Sequence, residues 1–242
     1  ASAGAKIAKH GGRGVSSVTG SADLLEALGA NINLKSSDVI KSIDETGVGF
    51  MFAPNHHPSM KNVAPIRKEL GVRTIFNVLG PLTNPARARK QLIGVFNKNL
   101  LEPIVNVLKE LNSKHVLVVH AENGLDEISF SGKTFYAELN SGKITQGVLT
   151  AEKFGLVNNQ HGFSMDSIKV KNIEQSKKMI IQSLTDTNSY PAKIVALNAG
   201  AAIYIAGIVE NLSDGFSMAL SEIESGRAKK NLDNFIEYTN SI

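Results

Sequence analysis

Residues 90–120 read KQLIGVFNKNLLEPIVNVLKELNSKHVLVVH, and this stretch decides the fold class. Its two ends, KQLIGVF at 90–96 and HVLVVH at 115–120, are apolar runs rich in β-branched residues, which is typical of buried strands. The segment at 101–111 between them carries apolar residues at helical spacing. A strand, a helix and a second strand in this order predict two parallel strands joined by a right-handed crossover.

The flanking segments extend this unit into an α/β domain. Downstream, the stretches ISFSG, KTFYAEL and KITQGVL alternate apolar and polar residues between turns, which predicts strands of a side sheet. The last third is mainly helical, most clearly at 198–212 and 218–225. Upstream, the residues before Lys9 predict a short strand, and SADLLEALG at 21–29 predicts an amphipathic helix. We therefore expect an α/β fold in which helices flank a mixed sheet.

Two helices interrupt this pattern and suggest a second lobe. VIKSIDETG predicts a helix that ends at Gly47, and MKNVAPIRKEL at 60–70 predicts another. Between them FAPNHHPS, with two prolines, predicts a loop. We expect residues 1–36 and 77–242 to form the α/β domain and residues 37–76 to form part of a small helical lobe.

Composition excludes several classes of protein. Of the 242 residues, 42% are hydrophobic and 20% are charged, which rules out a disordered, collagen-like or coiled-coil chain. The absence of cysteine excludes disulfides, a thiolate zinc site and a thiol nucleophile. The longest apolar stretch, at 194–209, is shorter than the roughly 20 residues of a membrane-spanning helix and predicts a buried helix. We expect a cytoplasmic protein without a signal peptide and without a membrane partner.

The segment KHGGRGVSS at 9–17 has the chemistry of a phosphate site. Its glycines let backbone N–H groups approach an anion, its Lys and Arg supply positive charge, and its serines donate hydrogen bonds. Ser21 follows at the start of a predicted helix, where the unpaired N–H groups favour an anion. The alternative is a flexible surface turn. The net charge of +4 suits an anionic small molecule as well as nucleic acid and does not choose between them.

Asp126 and Glu127 are adjacent carboxylates in a loop that follows a buried strand. Ligands of α/β sheets bind at such strand ends, and paired oxygen ligands suit Mg²⁺ that is held partly by phosphate. The alternative is a solvated turn. We expect the nearby His120 and Glu122 to be structural.

Three other features invite a functional interpretation. His56 and His57 are adjacent, but neighbouring side chains rarely converge on one ion, and no acidic partner is spaced to join them in a zinc site. Arg67 and the basic run at 87–90 have the ordinary interpretation of solvated side chains.

Several of these segments together resemble the anthranilate phosphoribosyltransferase family. The resemblance rests on KHGGRGVSSVTGSADLLEALG, FAPNHHPSMKNVAPIRKELGVRTIFNVLGPLTNPA and HAENGLDEIS, and it extends to VALNAGAAIYIAG and SGRAKKNLDNF. Within them, GVRTIFNVLGPLTNP is the most specific, because the related pyrimidine nucleoside phosphorylases differ there. The resemblance implies the large domain of the nucleoside phosphorylase/phosphoribosyltransferase-like fold.

The resemblance also implies a transferase that moves a phosphoribosyl group from phosphoribosyl pyrophosphate (PRPP) to anthranilate in tryptophan biosynthesis, with Mg²⁺ as cofactor and a homodimer as assembly. Asp126 and Glu127 would hold Mg²⁺. Contacts to PRPP would come from Lys9, His10, Gly11, Gly12, Arg13, Gly14, Val15, Ser16, Ser17 and Ser21. Contacts to anthranilate would come from His10, Gly12, His57, Arg67 and Pro81. The family often has Asn where this chain has Gly12, so only backbone is available there.

Two family segments, a GTGGD-type turn and a NIST-type stretch that grip pyrophosphate, would precede Ala1. We therefore expect the chain to carry about two thirds of the enzyme and to be nearly inactive alone. Two rival functions stay open. One is a pyrimidine nucleoside phosphorylase, and the other is a non-enzymatic paralogue that binds nucleic acid, which only the basic pI supports.

Overall fold

The structure is a computed structural model of the chain and describes residues 1–14, 18–57, 66, 69, 76–156 and 164–242. The chain divides into two compact units. Unit 1 comprises Ala1–Arg87, Val170–Ile181 and Arg227–Ile242, and unit 2 comprises Ala88–Lys169 and Gln182–Gly226. The lobe predicted at 37–76 falls within the span of unit 1, and its separation from the α/β domain stays a prediction.

The described chain contains both helices and strands. Their order is β1 (Ile7–Gly11), α1 (Ser21–Ala27), α2 (Ser36–Thr46), β2 (Val48–Phe52), α3 (Ala53–His56), α4 (Phe76–Leu82), β3 (Lys90–Gly94), α5 (Leu101–Glu110), β4 (His115–Ala121), β5 (Thr134–Asn140), β6 (Lys143–Leu149), α6 (Ile173–Ser183), α7 (Tyr190–Ala206), α8 (Leu212–Glu224) and α9 (Arg227–Ser241). The α/β fold class is confirmed. In the part of the chain that the structure describes, no helix is long and apolar enough to cross a membrane.

In unit 1, β1 and β2 pair in parallel, with Ile7 opposite Val48. Successive residues of β2 point to opposite faces of the pair, as strand geometry requires. Phe50 and Phe52 accordingly join one hydrophobic cluster with residues of α1 and α9, and Met51 joins another with residues of α2. Helices α1 and α2 are thus anchored on the strand pair that positions the glycine-rich loop.

The predictions for this region are partly confirmed. Helix α2 ends as expected at Gly47, whose φ of 77° places it in the left-handed conformation that glycine adopts most easily. Strand β2 was not predicted, and the stretch FAPNHHPS, predicted as a loop, contains the single helical turn α3. The helix predicted at 60–70 lies outside the described residues, apart from Ile66 and Glu69.

In unit 2, four strands form one sheet in the order β3-β4-β5-β6. Strands β3 and β4 are parallel and α5 lies between them in sequence, which confirms the predicted crossover unit. The strands predicted at KTFYAEL and KITQGVL are confirmed as β5 and β6. They extend the same sheet, with β5 antiparallel to β4 and β6 antiparallel to β5, so the prediction of a side sheet is wrong. The predicted strand ISFSG is also wrong, because side chains bond its backbone: the N–H of Ser129 donates to Oγ1 of Thr134 at 3.0 Å.

Helices α7 and α8 pack closely in unit 2 because glycines line their contact. A Cβ on Gly200 would lie within 2.6–2.7 Å of backbone atoms of Gly215 and Phe216. No L side chain fits at that distance without moving the helices apart. The apolar stretch at 194–209 lies largely in α7, which includes eight buried residues and confirms the prediction of a buried helix.

Candidate active site

The glycine-rich loop leaves β1 and returns to α1. Lys9 is exposed on β1, and His10 next to it is partly buried. At the end of β1, a Cβ on Gly11 would overlap the hydroxyl of Ser21, so Gly11 allows the start of α1 to approach the strand. The structure thus brings Gly11 and Ser21 together with the strand that carries Lys9 and His10. Three other residues predicted to bind PRPP, Val15, Ser16 and Ser17, lie outside the described residues.

A single carboxylate, that of Asp23 in α1, closes this loop. Its Oδ2 accepts hydrogen bonds from the backbone N–H groups of Gly14 and Gly20, each at 2.9 Å. Its Oδ1 accepts from the guanidinium of Arg13, also at 2.9 Å. The hydrogen bonds from the two backbone N–H groups lower the pKa of the Asp23 carboxyl most, and Arg13 lowers it further. Gly14 and Gly20 are therefore bonded to the same carboxylate, an interaction that the sequence did not indicate.

Gly20 is required for this closure. A Cβ at Gly20 would lie 2.5 Å from the carbonyl oxygen of Gly12 and from the carbonyl carbon of Arg13. The N–H of Ala22 donates to the same Gly12 oxygen at 3.2 Å. The loop is thus packed directly on the first turn of α1, and any larger residue at this position would force the two apart.

Arg13 bonds to carboxylates within the described structure. Its guanidinium donates to Glu26 at 2.7 and 3.3 Å as well as to Asp23, and it lies 5.5 Å from the ring centroid of Phe52. The hydrogen bond with Arg13 lowers the pKa of the exposed Glu26 carboxylate, and the same contacts raise the pKa of the guanidinium. Arg13 therefore has carboxylate partners within the protein, and its predicted contact with PRPP stays a prediction.

Three imidazoles form a second feature of unit 1. The rings of His10 and His57 meet edge to face, with centroids 4.9 Å apart. The Nε2 atoms of His10, His56 and His57 are buried and have no hydrogen-bond partner among the described residues. Burial, followed by the charge of His57, lowers the pKa of His10 from 6.5 to about 4, although a hydrogen bond to the Gly80 backbone raises it. Burial also lowers the pKa of His56.

This imidazole cluster lies next to α4. The hydrogen bond from His10 reaches Gly80, the residue before Pro81 in that helix. The side chain of Asn84 also donates to the carbonyl of Ala8 on β1 at 3.1 Å, which ties the end of this segment to the strand. His10, His57 and the helix that carries Pro81 are therefore brought together, as the resemblance implied. Arg67 lies outside the described residues.

Asp126 and Glu127 lie in unit 2, in the loop between β4 and β5, and both are exposed. Among the described residues no group of three or more His, Cys, Asp or Glu side chains is arranged to hold a metal ion. His120 bonds the carbonyl of Val95 at 2.7 Å, and Glu122 accepts from the N–H of Lys133 at 3.3 Å. These two bonds fit the structural roles expected for His120 and Glu122.

Known proteins with similar sequences include several anthranilate phosphoribosyltransferases. Residues 1–229 match a family model described as "Glycosyl transferase family, a/b domain". The anthranilate phosphoribosyltransferase of Ralstonia pickettii (strain 12J) is 52% identical over 242 residues, which are 100% of this chain and 69% of that protein. The enzyme of the same name from Burkholderia cenocepacia (strain HI2424) is 50% identical over 239 residues, which are 99% of this chain and 68% of that protein.

Solved structures agree with these relatives. The crystal structure of anthranilate phosphoribosyltransferase from Thermus thermophilus matches with a TM-score of 0.88 and 38% identity, over 99% of this chain and 70% of that one. The enzyme from Saccharomyces cerevisiae in complex with PRPP and Mg matches with a TM-score of 0.84 and 29% identity, over 100% of this chain and 68% of that one.

The closure of the loop by Asp23 can be tested by measuring stability. The substitution Asp23→Ala leaves the backbone N–H groups of Gly14 and Gly20 without their acceptor and removes one of the two carboxylates that Arg13 bonds, so we expect it to lower the free energy of unfolding in urea by about 1–3 kcal/mol. As a control, Glu26→Gln removes only an exposed ion pair with Arg13 and should have a much smaller effect. Equal losses in the two variants would contradict the assignment.

The histidine cluster predicts an unusual titration. The imidazole of His10 should titrate near pH 4 rather than 6.5 in an NMR titration, with the His10→Gln variant identifying its resonance. Because the unfolded state binds this proton more readily, the contribution of His10 to stability should be present above pH 6.5 and be lost as the pH falls towards 4. A midpoint near 6.5 would show that the ring is solvated.

Proposed function

Because this chain belongs to the anthranilate phosphoribosyltransferase family, we propose that it transfers the phosphoribosyl group of PRPP to anthranilate. The products are phosphoribosyl-anthranilate and pyrophosphate, in a step of tryptophan biosynthesis. The observation that carries the proposal is the identity of 52% over all 242 residues with an enzyme of this name. Relatives from yeast with PRPP and Mg, and with 4-fluoroanthranilate, match this chain over its whole length.

The glycine-rich loop is the proposed site for the phosphates of PRPP. Lys9 supplies an exposed positive charge on β1, and the Ser21 hydroxyl lies directly beside Gly11. Backbone of Gly11, Gly12 and Gly14 has no side chain to keep an anion away. The binding role of Arg13, Val15, Ser16 and Ser17 rests on the resemblance alone. Positioning of the substrate is the main contribution that a transfer of this kind needs.

The imidazole cluster is the proposed site for anthranilate. The Nε2 atom of His10 has no hydrogen-bond partner among the described residues. Because the ring is neutral at physiological pH and its other nitrogen donates to the Gly80 backbone, this Nε2 can accept a hydrogen bond from the amine of the substrate. Pro81 and the backbone of Gly12 complete the proposed set, and Arg67 would pair with the carboxylate. The amine of anthranilate already has a lone pair for attack on C1 of the ribose, so this mechanism needs no strong general base.

The carboxylates of Asp126 and Glu127 fit a Mg²⁺ ion in their chemistry. Both are exposed oxygen ligands, and Mg²⁺ is usually held by one or two carboxylates together with substrate phosphates rather than by a complete protein cage. When bound, the ion would neutralise the negative charge that develops on pyrophosphate as it leaves. The two carboxylates would hold it.

A fluorescence assay tests the proposed reaction. Consumption of anthranilate in the presence of PRPP and Mg²⁺ is followed for the 242 residues alone and for the same residues joined to the part of the Ralstonia relative that they do not match. Consumption that requires both PRPP and Mg²⁺ in either form supports the proposal. No consumption by either folded form would contradict it, and release of base from a pyrimidine nucleoside would favour the phosphorylase instead.

The assembly and location of the protein are also part of the proposal. We infer a cytoplasmic homodimer from the resemblance, and light scattering of the purified protein measures its mass directly. A monomer at the concentrations used in the activity assay would contradict the homodimer.

The role of the carboxylate pair predicts a change in metal dependence. In the form that is active in this assay, Asp126→Asn and Glu127→Gln should each lower turnover by on the order of 10²-fold or more and raise the Mg²⁺ concentration required, because one charged ligand is lost. The fold should survive, since both side chains are exposed. Unchanged Mg²⁺ dependence in both variants would refute the metal role.

The role of Arg67 predicts a substrate-specific effect. A guanidinium binds a carboxylate through two parallel hydrogen bonds, and a lysine cannot reproduce that geometry. Arg67→Lys should therefore raise the KM for anthranilate far more than the KM for PRPP. Equal effects on the two substrates would count against the role, and the Arg73→Lys variant provides a control for an arginine nearby in the sequence.

A further inference from the structure

The loop that carries Asp126 and Glu127 rests on the end of strand β3. A Cβ on Gly94, the last residue of β3, would overlap the carbonyl oxygen of Asp126 and lie 3.1 Å from its Cβ. The loop backbone therefore passes directly over a position where no side chain fits. The absence of a side chain at Gly94 therefore allows the backbone of Asp126 to lie close to the sheet.

The side chain of Asn198 in α7 grips the same loop one residue later. Its Oδ1 accepts from the N–H of Ile128 at 2.8 Å, and its Nδ2 donates to the carbonyl of Ile128 at 3.0 Å. The same Nδ2 also donates to the carbonyl of Ile194 within α7, at 3.0 Å. One amide side chain therefore satisfies both backbone groups of the residue that follows Glu127.

Burial makes this pair of bonds strong enough to matter. Ile128 is 0% exposed, so water cannot take over its N–H and C=O if the amide is removed. Asn is also a poor residue for the interior of a helix, because its side chain competes for backbone groups. In α7 the Asn198 side chain instead bonds the backbone of Ile128, in the loop that follows β4.

We propose that Asn198 is a positioning residue for the metal-binding carboxylates, acting through its two hydrogen bonds to the backbone of Ile128. The inference rests on the proposed function of Asp126 and Glu127. A loop whose backbone is already held in place loses less backbone freedom when its carboxylates bind an ion. Gly94 serves the same end from the side of the sheet.

The first experiment needs neither metal nor substrate. Amide hydrogen exchange, measured by NMR, should show that the Ile128 N–H exchanges at least about tenfold faster in Asn198→Ala than in the unchanged protein, since about 1.4 kcal/mol of protection is a factor of ten. The control is Tyr204→Phe, which removes another polar contact of α7, a 2.8 Å bond to Glu138, away from this loop. Unchanged protection in Asn198→Ala, or equal loss in Tyr204→Phe, would overturn the proposal.

The second experiment measures metal dependence in the active form of the protein. Asn198→Ala should raise the Mg²⁺ concentration for half-maximal rate by about tenfold and leave the KM for anthranilate unchanged, whereas Tyr204→Phe should change neither. Gly94→Ala should also raise the Mg²⁺ concentration required while the Ile128 N–H stays protected. A general loss of activity with unchanged Mg²⁺ dependence would show a merely structural role and overturn the proposal.

Two further variants keep the outcomes distinct. If Asn198→Ala does not fold, Asn198→Asp replaces it. The aspartate keeps the acceptor for the Ile128 N–H but loses the donor to the Ile128 carbonyl. The Ile128 N–H should therefore stay protected from exchange, while the Mg²⁺ concentration for half-maximal rate should rise despite the added negative charge. An unchanged Mg²⁺ concentration for half-maximal rate would overturn the proposal. Asp126→Asn serves as the reference variant. If it changes the Mg²⁺ dependence and the Asn198 variants do not, the positioning role of Asn198 is refuted. If Asp126→Asn does not change the Mg²⁺ dependence, the proposed metal role of the carboxylates is refuted.

Discussion

The carboxylate of Asp23 is the interaction on which the proposed phosphate site depends. It accepts N–H groups from Gly14 and Gly20, on either side of the loop, and it also pairs with Arg13. Glycines let a ligand approach the backbone of a loop, but they also give the chain more conformational freedom to lose on folding. The hydrogen bonds from Gly14 and Gly20 to one carboxylate restrict that freedom. The anion that bonds Gly14 and Gly20 therefore belongs to the protein itself.

The carboxylate pair in unit 2 is held by the same kind of chemistry. Asp126 and Glu127 are exposed, and the residue that follows them, Ile128, is fully buried and bonded through both backbone groups to Asn198. In each case a polar side chain on a helix binds the backbone of a loop that carries functional groups. Asp23 and Asn198 are not themselves among the residues implied to bind substrate or metal.

How much of this could be predicted from the sequence depends on the range of the interactions. The crossover unit of β3, α5 and β4 and the end of α2 at Gly47 follow from local patterns, and they were predicted. Strand β2 was not, because its five residues between a glycine and APN carry no alternation of apolar and polar residues. The stretch ISFSG does alternate, but its backbone bonds side chains such as Thr134 instead of a neighbouring strand.

The site shows the same division. Residue types at 9–17 and 126–127 indicated phosphate and metal chemistry, and the family resemblance added His57 and Pro81. The roles of Asp23 and Asn198 depend on contacts with Gly14 and with Ile128, and the contact of Asn198 spans 70 residues of sequence. Asn198 was visible only as a polar residue in an otherwise apolar stretch. The lowered pKa of His10 likewise depends on burial and on the neighbouring ring of His57, which periodicity does not reveal.

The central claim is that this chain belongs to an enzyme that joins anthranilate to the ribose of PRPP and releases pyrophosphate. The most direct measurement is the stoichiometry of the reaction, with pyrophosphate release and phosphoribosyl-anthranilate formation followed in the same sample, the second by mass spectrometry. We predict equal amounts of the two products, both dependent on anthranilate and on Mg²⁺. Pyrophosphate released without phosphoribosyl-anthranilate, or neither product from the folded 242 residues joined to the part of the Ralstonia relative that they do not match, would contradict this assignment.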